Sequence, residues 1–174
     1  MNELEFDKML AKYADVVVKV GLNLRKGQRL SIRAIIDDAP FIRKVAESAY
    51  KAGAQYVDIL WTDEKIVRTR FEYATPESLE ESPDWYFARY EEHYKRGDAS
   101  LAIHSSDPDL LNGINPELIA KNRTAMAKKF EPLRKYENVS NWCVVATASP
   151  AWARKVFPEL STEEAQAKLW EAIF

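Results

Sequence analysis

The stretch R-L-S-I-R-A-I-I-D-D-A-P-F-I-R-K-V-A-E-S-A-Y-K-A-G-A-Q-Y-V-D-I-L-W, residues 29–61, decides the fold class. Residues 29–36 alternate apolar and polar side chains, which predicts a strand. Residues 39–52 place apolar side chains at three- and four-residue spacing, which predicts a helix. Residues 55–61 are rich in β-branched and aromatic side chains and predict a second strand. This order is typical of a βαβ unit, so we expect the two strands to be parallel.

The rest of the chain continues the alternation of short apolar strands with helices. The periodicity predicts strands at 99–104 and 142–147 and helices at 4–24, 85–95, 117–136, 150–156 and 161–174. Residues 75–78 also look like a helix start, whereas 64–71 fit either a short helix or a strand. We therefore predict an α/β fold over residues 1–174: a Rossmann-like, mostly parallel sheet of about four strands with helices on both faces. The pattern leaves the strand order open.

Composition excludes several functional classes. The 25 basic and 27 acidic residues nearly cancel, which disfavours nucleic-acid binding. No apolar run approaches the roughly 20 residues of a membrane span, and the opening M-N-E-L-E-F-D-K-M-L lacks the basic-then-apolar order of a signal peptide. The single cysteine, Cys143, excludes an intramolecular disulfide and a cysteine zinc cluster. We expect a soluble, cytoplasmic protein.

One cluster and one single residue could carry chemistry, but each has a simpler explanation. His104, Asp107 and Asp109 could form a metal site of one histidine and two carboxylates. Acidic residues beside Pro108 are, however, ordinary turn residues, and this interpretation is favoured. Cys143 lies in an apolar strand, where a thiol is usually an inert small hydrophobe rather than a nucleophile.

Cofactor motifs are missing from the junctions where this fold usually has them. The first strand–helix junction has no glycine and carries Asp37 and Asp38, which can cap the helix but would repel a pyrophosphate. No G-x-S-x-G elbow is present. The residues therefore indicate no catalytic, cofactor-binding or metal-binding position in this chain.

Two apolar surfaces have alternative explanations. Trp85, Tyr86, Phe87, Tyr90 and Tyr94 form an aromatic face on the helix at 85–95. Packing in a core is the favoured interpretation of this face, and contact with another domain or subunit is the alternative.

The final helix ends in a stripe of Leu169, Trp170, Ile173 and Phe174, without a glycine or a polar tail. This stripe could dock on the domain. We favour the alternative, in which it is an exposed, sticky surface that meets a missing part of a longer protein.

Three stretches resemble one family. They are A-K-Y-A-D-V-V-V-K-V-G-L-N-L-R-K-G-Q (11–28), S-S-D-P-D-L-L-N-G-I-N-P (105–116) and N-W-C-V-V-A-T-A-S-P-A-W-A-R-K-V-F-P (141–158). Together they resemble the thermophilic-type metalloaminopeptidases, the aminopeptidase T and aminopeptidase S family. The three matches occur in order and span most of the chain.

The resemblance implies a homodimeric enzyme that releases N-terminal amino acids from peptides. Two divalent metal ions (Zn, Co or Mn) would activate a water and polarise the scissile carbonyl. The family's metal ligands lie in a C-terminal catalytic domain, and no position here matches one. The resemblance thus implies that residues 1–174 are the N-terminal domain of such an enzyme, inactive alone and serving substrate access and dimer assembly.

Two other hypotheses stay open. One is a self-contained α/β module that assembles with a partner or binds a small ligand at the carboxyl edge of its sheet. The other is an independent metal-dependent hydrolase built on His104, Asp107 and Asp109.

Overall fold

The computed structural model describes residues 2–136 and 139–174. Its helices are α1 (Glu3–Val16), α2 (Ala39–Lys51), α3 (Glu64–Tyr73), α4 (Asp84–Arg96), α5 (Pro116–Phe130), α6 (Pro150–Val156) and α7 (Thr162–Ile173). Its strands are β1 (Arg29–Ile35), β2 (Tyr56–Thr62), β3 (Ala99–His104) and β4 (Trp142–Ala146). Within the described part of the chain, no helix is long and apolar enough to cross a membrane.

The four strands form one sheet in the order β2-β1-β3-β4, and every neighbouring pair is parallel. The predicted α/β class and the predicted four-stranded sheet are confirmed, and the sheet is fully parallel. From β1 the chain steps outward to β2, whereas from β3 it steps the other way to β4. A topological switch point therefore lies between β1 and β3, where open α/β sheets usually bind ligands at their carboxyl ends.

The main core lies between one face of the sheet and helices α1 and α2. On β1, the side chains of Leu30 and Ile32 are fully buried in this core, while Ser31 and Arg33 between them are less buried. On α2, Phe41, Ile42 and Val45 are buried against them. The alternation on the strand and the three- and four-residue spacing on the helix thus both result from burial against this one core.

Two long helices end earlier than their apolar patterns predict. Helix α1 ends at Val16 and continues as a π-helical turn, Val17–Gly21. A Cβ atom at Gly21 would lie 2.8 Å from Sγ of Cys143, so glycine lets this turn lie against β4. Helix α5 ends at Phe130 and continues as a 3₁₀ segment to Tyr136. The cause is Pro132, whose nitrogen has no hydrogen for the helical bond.

The two stretches between β2 and α4 had different predictions and have different outcomes. Residues 64–71 form α3, which begins where the Asp63 carboxylate accepts hydrogen bonds from the amides of Lys65, at 2.9 Å, and Ile66, at 3.3 Å. The prediction that a helix starts at 75–78 is wrong, because only a short 3₁₀ turn, Ser78–Glu80, follows.

The chain divides into two compact units. The first contains the whole sheet with α1, α2, α6 and α7, from Met1–Thr62, Ala99–Pro108 and Asn141–Phe174. The second contains α3, α4 and α5, from Asp63–Asp98 and Asp109–Ser140.

Candidate functional site at the carboxyl edge of the sheet

A buried carboxylate lies where three strands end. Asp38 follows β1, Ser105 follows β3 and Thr147 follows β4, and each is at most 3% exposed. The Asp38 carboxylate accepts hydrogen bonds from the Ser105 hydroxyl, at 2.8 Å, and from the Thr147 hydroxyl. It also accepts the amide hydrogen of Ile35, at 3.1 Å. We call Asp38, Ser105 and Thr147 the carboxyl-edge network, and it lies at the switch point between β1 and β3.

Burial dominates the electrostatics of this carboxylate. Desolvation raises the pKa of Asp38, and the nearby Asp37 carboxylate raises it further. Hydrogen bonds from Thr147, Ser105 and the Ile35 amide act in the opposite direction, because they stabilise the ionised form. Asp38 is therefore a titratable group held in a fixed position by three donors.

Sequence reasoning missed the role of Asp38. The pair Asp37-Asp38 was expected to cap α2, and Asp38 does occupy the position before that helix. Its side chain makes no capping hydrogen bond, however, because the carboxylate turns back to the Ile35 amide and the two hydroxyls. The sequence carried no signal for this role, because an acid just before a helix is equally typical of a cap.

A cavity of about 160 Å³ lies beside the carboxyl-edge network. Its apolar lining comes mainly from Phe6 and Leu10 on α1, Phe41 on α2 and Trp170 on α7. Its polar lining is Asp37, Asp38, Thr147, Ser149 and Gln166. Apolar side chains with a few polar groups among them are the lining composition typical of small-ligand sites.

The opposite, amino edge of the sheet holds a second network, and it brings two of the family-like stretches together. The Asn141 side-chain amide donates to the Leu22 carbonyl, at 2.5 Å, and the Gln28 side-chain amide donates to the Asn141 side-chain oxygen, at 2.6 Å. Asn23 and Gly27, with φ of 47° and 79°, make the tight connection between Leu22 and Gln28. We call Leu22, Gln28 and Asn141 the amino-edge network.

The stretch P-A-W-A-R-K-V-F-P, residues 150–158, forms α6 and the two residues after it. The Ser149 hydroxyl caps this helix by accepting the amide hydrogen of Trp152, at 3.2 Å, and Ala153 is fully buried against α7. The indole of Trp152 lies edge to face against the His104 ring, with centroids 5.6 Å apart. These residues hold the carboxyl end of β4 in place beside the cavity.

The alternative metal cluster of His104, Asp107 and Asp109 is not assembled among the described residues. No group of three or more His, Cys, Asp or Glu side chains that could hold a metal ion occurs among residues 2–136 and 139–174. His104 packs on Trp152, and Asp109 accepts a hydrogen bond from the Asn112 side chain, at 3.0 Å, within its own turn. The geometry supports the turn interpretation of Asp107 and Asp109.

Cys143 behaves as a packing residue. It lies on β4 with its sulfur against Gly21, and burial raises the pKa of its thiol. A raised pKa keeps the sulfur protonated and weakly nucleophilic.

Part of the aromatic face of α4 packs against α5 within the second unit. The rings of Phe87 and Tyr90 each lie 5.1 Å from the ring of Phe130 on α5, and Tyr86 lies 6.2 Å from it. These three rings pack on α5 but stay half-buried, so the choice between core and contact surface stays open for them. Trp85 differs, because 64% of its surface is exposed.

The prediction that the final stripe is an exposed surface is wrong. Leu169 is only 7% exposed, and the ring of Trp170 lies 5.5 Å from that of Phe6 on α1. Phe174 packs on Phe6, at 5.8 Å, and on Tyr13, at 6.2 Å. The apolar last turn thus results from docking of α7 on α1, which pattern alone could not separate from a missing partner.

Comparison with known proteins identifies the family. The sequence profile described as thermophilic metalloprotease (M29) matches residues 6–174. The chain belongs to the M29 family of metalloproteases. It is similar to Aminopeptidase T of Thermus thermophilus, with 39% identity over 171 residues, and to Aminopeptidase 2 of Geobacillus stearothermophilus, with 40% identity over 174 residues. The solved structure of wild-type AmpT from Thermus thermophilus matches with a TM-score of 0.91 at 39% identity.

These M29 relatives are much longer than this chain. The match to each covers 97% of this chain but only 41% to 43% of the relative. The matched region is the N-terminal part of those enzymes. The resemblance noted in the sequence is therefore confirmed, both for the family and for the part of the enzyme concerned.

Proposed function

We propose that this chain serves as the N-terminal domain of a metal-dependent aminopeptidase that releases N-terminal amino acids from peptides. The observation that carries the proposal is the match of nearly the whole chain, at about 40% identity, to the N-terminal part of enzymes named as aminopeptidases. Its proposed roles are to shape substrate access to the catalytic part and to help form a homodimer.

The metal chemistry is proposed to lie in the catalytic part of the enzyme. An M29 metalloprotease implies divalent metal ions, which would activate the attacking water. The described residues of this chain do not fit that task, because they contain no cluster with three metal-binding side chains. We therefore propose that the 174-residue chain alone has no peptidase activity with zinc, cobalt or manganese.

A chimera tests the proposal directly. This chain would replace the matching N-terminal region of Aminopeptidase T from Thermus thermophilus, and hydrolysis of aminoacyl-p-nitroanilides would be measured with each metal. The chimera should be active and the isolated chain inactive, with intact Aminopeptidase T as positive control. Light scattering on the chimera and on the isolated chain would test the proposed dimer.

Two outcomes would contradict the proposal. Metal-dependent turnover by the isolated chain would instead favour an independent hydrolase. A well-folded chimera that binds metal but cleaves no substrate would show that this chain cannot serve as the domain proposed. Reading the gene beyond the codon for Phe174 gives independent evidence, since a continuing frame rich in histidine and acidic codons is expected.

A second candidate function, a small-ligand module, has one specific observation in its favour. The cavity of about 160 Å³ lies at the carboxyl edge of the sheet, beside the switch point and a buried carboxylate. All the residues that line this cavity belong to the first unit.

A further inference from the structure

Strand β4 is an edge strand that is paired on one side only among the described residues. It pairs with β3 and is last in the order β2-β1-β3-β4. The Ser100 amide donates to the Asn141 carbonyl, at 3.0 Å, so every second residue from Asn141 directs its backbone groups to β3. The amides and carbonyls of the residues between them, Trp142 and Val144, therefore point outward from the edge of the sheet.

The β4 edge lacks the features that usually keep an edge strand from pairing. Natural sheets protect their edges with charged side chains, with proline or with a covering element. No charged residue occurs between Val139 and Ala153, although 30% of the chain is charged. Strand β2, at the opposite edge, carries Asp58 near its centre. Of the two edges, β4 is therefore the one whose sequence permits pairing with another strand.

Exposed apolar side chains lie on both faces of this edge. On one face, Trp142 and Val144 are 64% and 56% exposed. On the other, Val16 and Val20 are more than half exposed, where the π-helical turn packs its Gly21 against β4. Exposed apolar surface beside an unpaired strand edge is typical of a site that another polypeptide covers.

The β4 sequence is complementary to itself when two copies run antiparallel. A twofold axis at Val144 places the two Val144 side chains opposite each other and each bulky Trp142 opposite the small Ala146 of the other copy. No like charges then oppose each other. All of these residues direct their backbone groups outward, so about six hydrogen bonds can form between the two strands. The Ala146 carbonyl already accepts the Tyr13 hydroxyl, at 3.0 Å, and keeps a second lone pair for this pairing.

We propose that two copies of this chain associate through antiparallel pairing of their β4 strands about Val144, which joins the two sheets into one continuous sheet. The proposal rests on the dimer role in the proposed function, for which it names the surface, and not on the peptidase role. A five-residue strand and a few side chains are a small contact beside the ~800 Å² that each partner buries in a standard interface. We therefore expect a weak dimer, with a dissociation constant of roughly 10 µM to 1 mM.

Amide hydrogen exchange of the 174-residue chain tests the proposal without any substitution. Exchange would be followed by NMR from about 20 µM to about 1 mM protein, with sedimentation equilibrium in parallel. The outward Val144 amide should exchange roughly twofold to tenfold more slowly at the highest concentration, because the dimer protects it. The Val145 amide is the internal control, since it points to β3 in both states and its exchange should not depend on concentration.

The matched variants are V144K, on β4, and V156K, at an exposed valine on α6. V144K places two ammonium groups opposite each other at the twofold axis and should weaken the dimer about fivefold or more. V156K makes the same chemical change outside β4 and should leave the dissociation constant unchanged. Circular dichroism of both variants checks that they are folded.

The proposal is overturned if the chain stays monomeric at about 1 mM, or if V144K dimerises as tightly as V156K. It is also overturned if dimer forms while exchange at Val144 stays the same. Protection of the Val144 amide in a monomeric chimera, but not in this chain, would show that the catalytic part covers β4 instead of a second copy. Peptidase activity of the chimera is a separate measurement, so failure of the β4 dimer and failure of the aminopeptidase proposal are distinguishable.

Discussion

The two edges of this sheet are both held by polar networks, but the chemistry of the networks differs. At the amino edge, Gln28 and Asn141 join the segments before β1 and β4 through neutral side-chain amides. At the carboxyl edge, Ser105 and Thr147 join the segments after β3 and β4 to the carboxylate of Asp38. Of these two networks, only the carboxyl-edge network contains a carboxylate.

The difference separates a structural connection from a candidate site. Side-chain amides donate and accept at once and do not titrate, so they close a network at any ordinary pH. An ionised carboxylate only accepts, so its burial requires several donors and raises its pKa. The carboxyl-edge network holds such a group beside a cavity, whereas the amino-edge network joins its segments without one.

The largest expected effect is at the carboxyl edge. T147V keeps the shape of the side chain but removes a hydroxyl donor to the buried Asp38, and it should cost about 1 to 3 kcal/mol of unfolding free energy at pH 7. Urea denaturation measures this loss.

T69V is the matched control, because the Thr69 hydroxyl bonds the Lys65 carbonyl on an exposed helix. It should change stability by less than about 0.5 kcal/mol. Equal losses of unfolding free energy in T147V and T69V would show that the hydrogen bond to Asp38 stabilises the fold no more than an exposed one does.

The next effect tests the amino edge. N141A leaves the Leu22 carbonyl and the Gln28 side chain without their shared partner and should cost about 1 to 2 kcal/mol. The loss should be the same from about pH 5 to pH 8, since none of these groups titrates there. A loss that varied strongly with pH would contradict the distinction between the two edges.

The third effect is the pH dependence of stability in D38N. Because burial raises the folded-state pKa of Asp38 above its unfolded value of about 3.9, its contribution to stability is fully present below that value. The contribution is lost as the pH rises through the folded-state pKa. D38N removes this loss, so its stability relative to the parent chain should rise with pH.

Thermal unfolding of D38N and the parent chain at a series of pH values measures this difference. Comparing the two chains cancels the exposed carboxylates Asp15, Glu47, Glu80 and Glu164, whose lowered pKa values act with the opposite sign. A pH-independent difference would contradict a raised pKa at Asp38.

The smallest effect is at the neighbouring exposed carboxylate. D37N should change stability by less than about 0.5 kcal/mol, because the side chain is exposed and has no hydrogen bond among the described residues. Since the Asp37 charge raises the pKa of Asp38, D37N should move that pKa downward. An NMR titration of the Asp38 carboxyl carbon measures the shift, and an unchanged pKa would show that the two carboxylates do not interact.

Much of the fold could be predicted from the sequence because its signals are local. Strand β3 occupies Ala99–His104 as predicted, and α6 ends at Val156 as predicted, since periodicity and capping involve residues close in the chain. The final helix lies where it was predicted, but the prediction that its apolar stripe is exposed was wrong. The apolar pattern of Trp170 and Phe174 shows that something covers them, but not that α1 does.

The candidate site could not be predicted in the same way. Ser105 and Thr147 lie 67 and 109 residues from Asp38. Nothing in the pattern of Asp37-Asp38 distinguishes a helix cap from a buried acceptor, because both use an acid just before a helix. Only the strand order places these three side chains together.

By itself, the sequence determined the α/β class, the parallel sheet and the M29 family, because each follows from short patterns and from stretches that resemble known enzymes. The tertiary structure alone decided which charges are buried, which apolar residues are covered and where a cavity opens. The physical reason is that burial depends on partners distant in the chain. Here the order β2-β1-β3-β4 and the docking of α7 on α1 bring those partners to Asp38 and the cavity beside it.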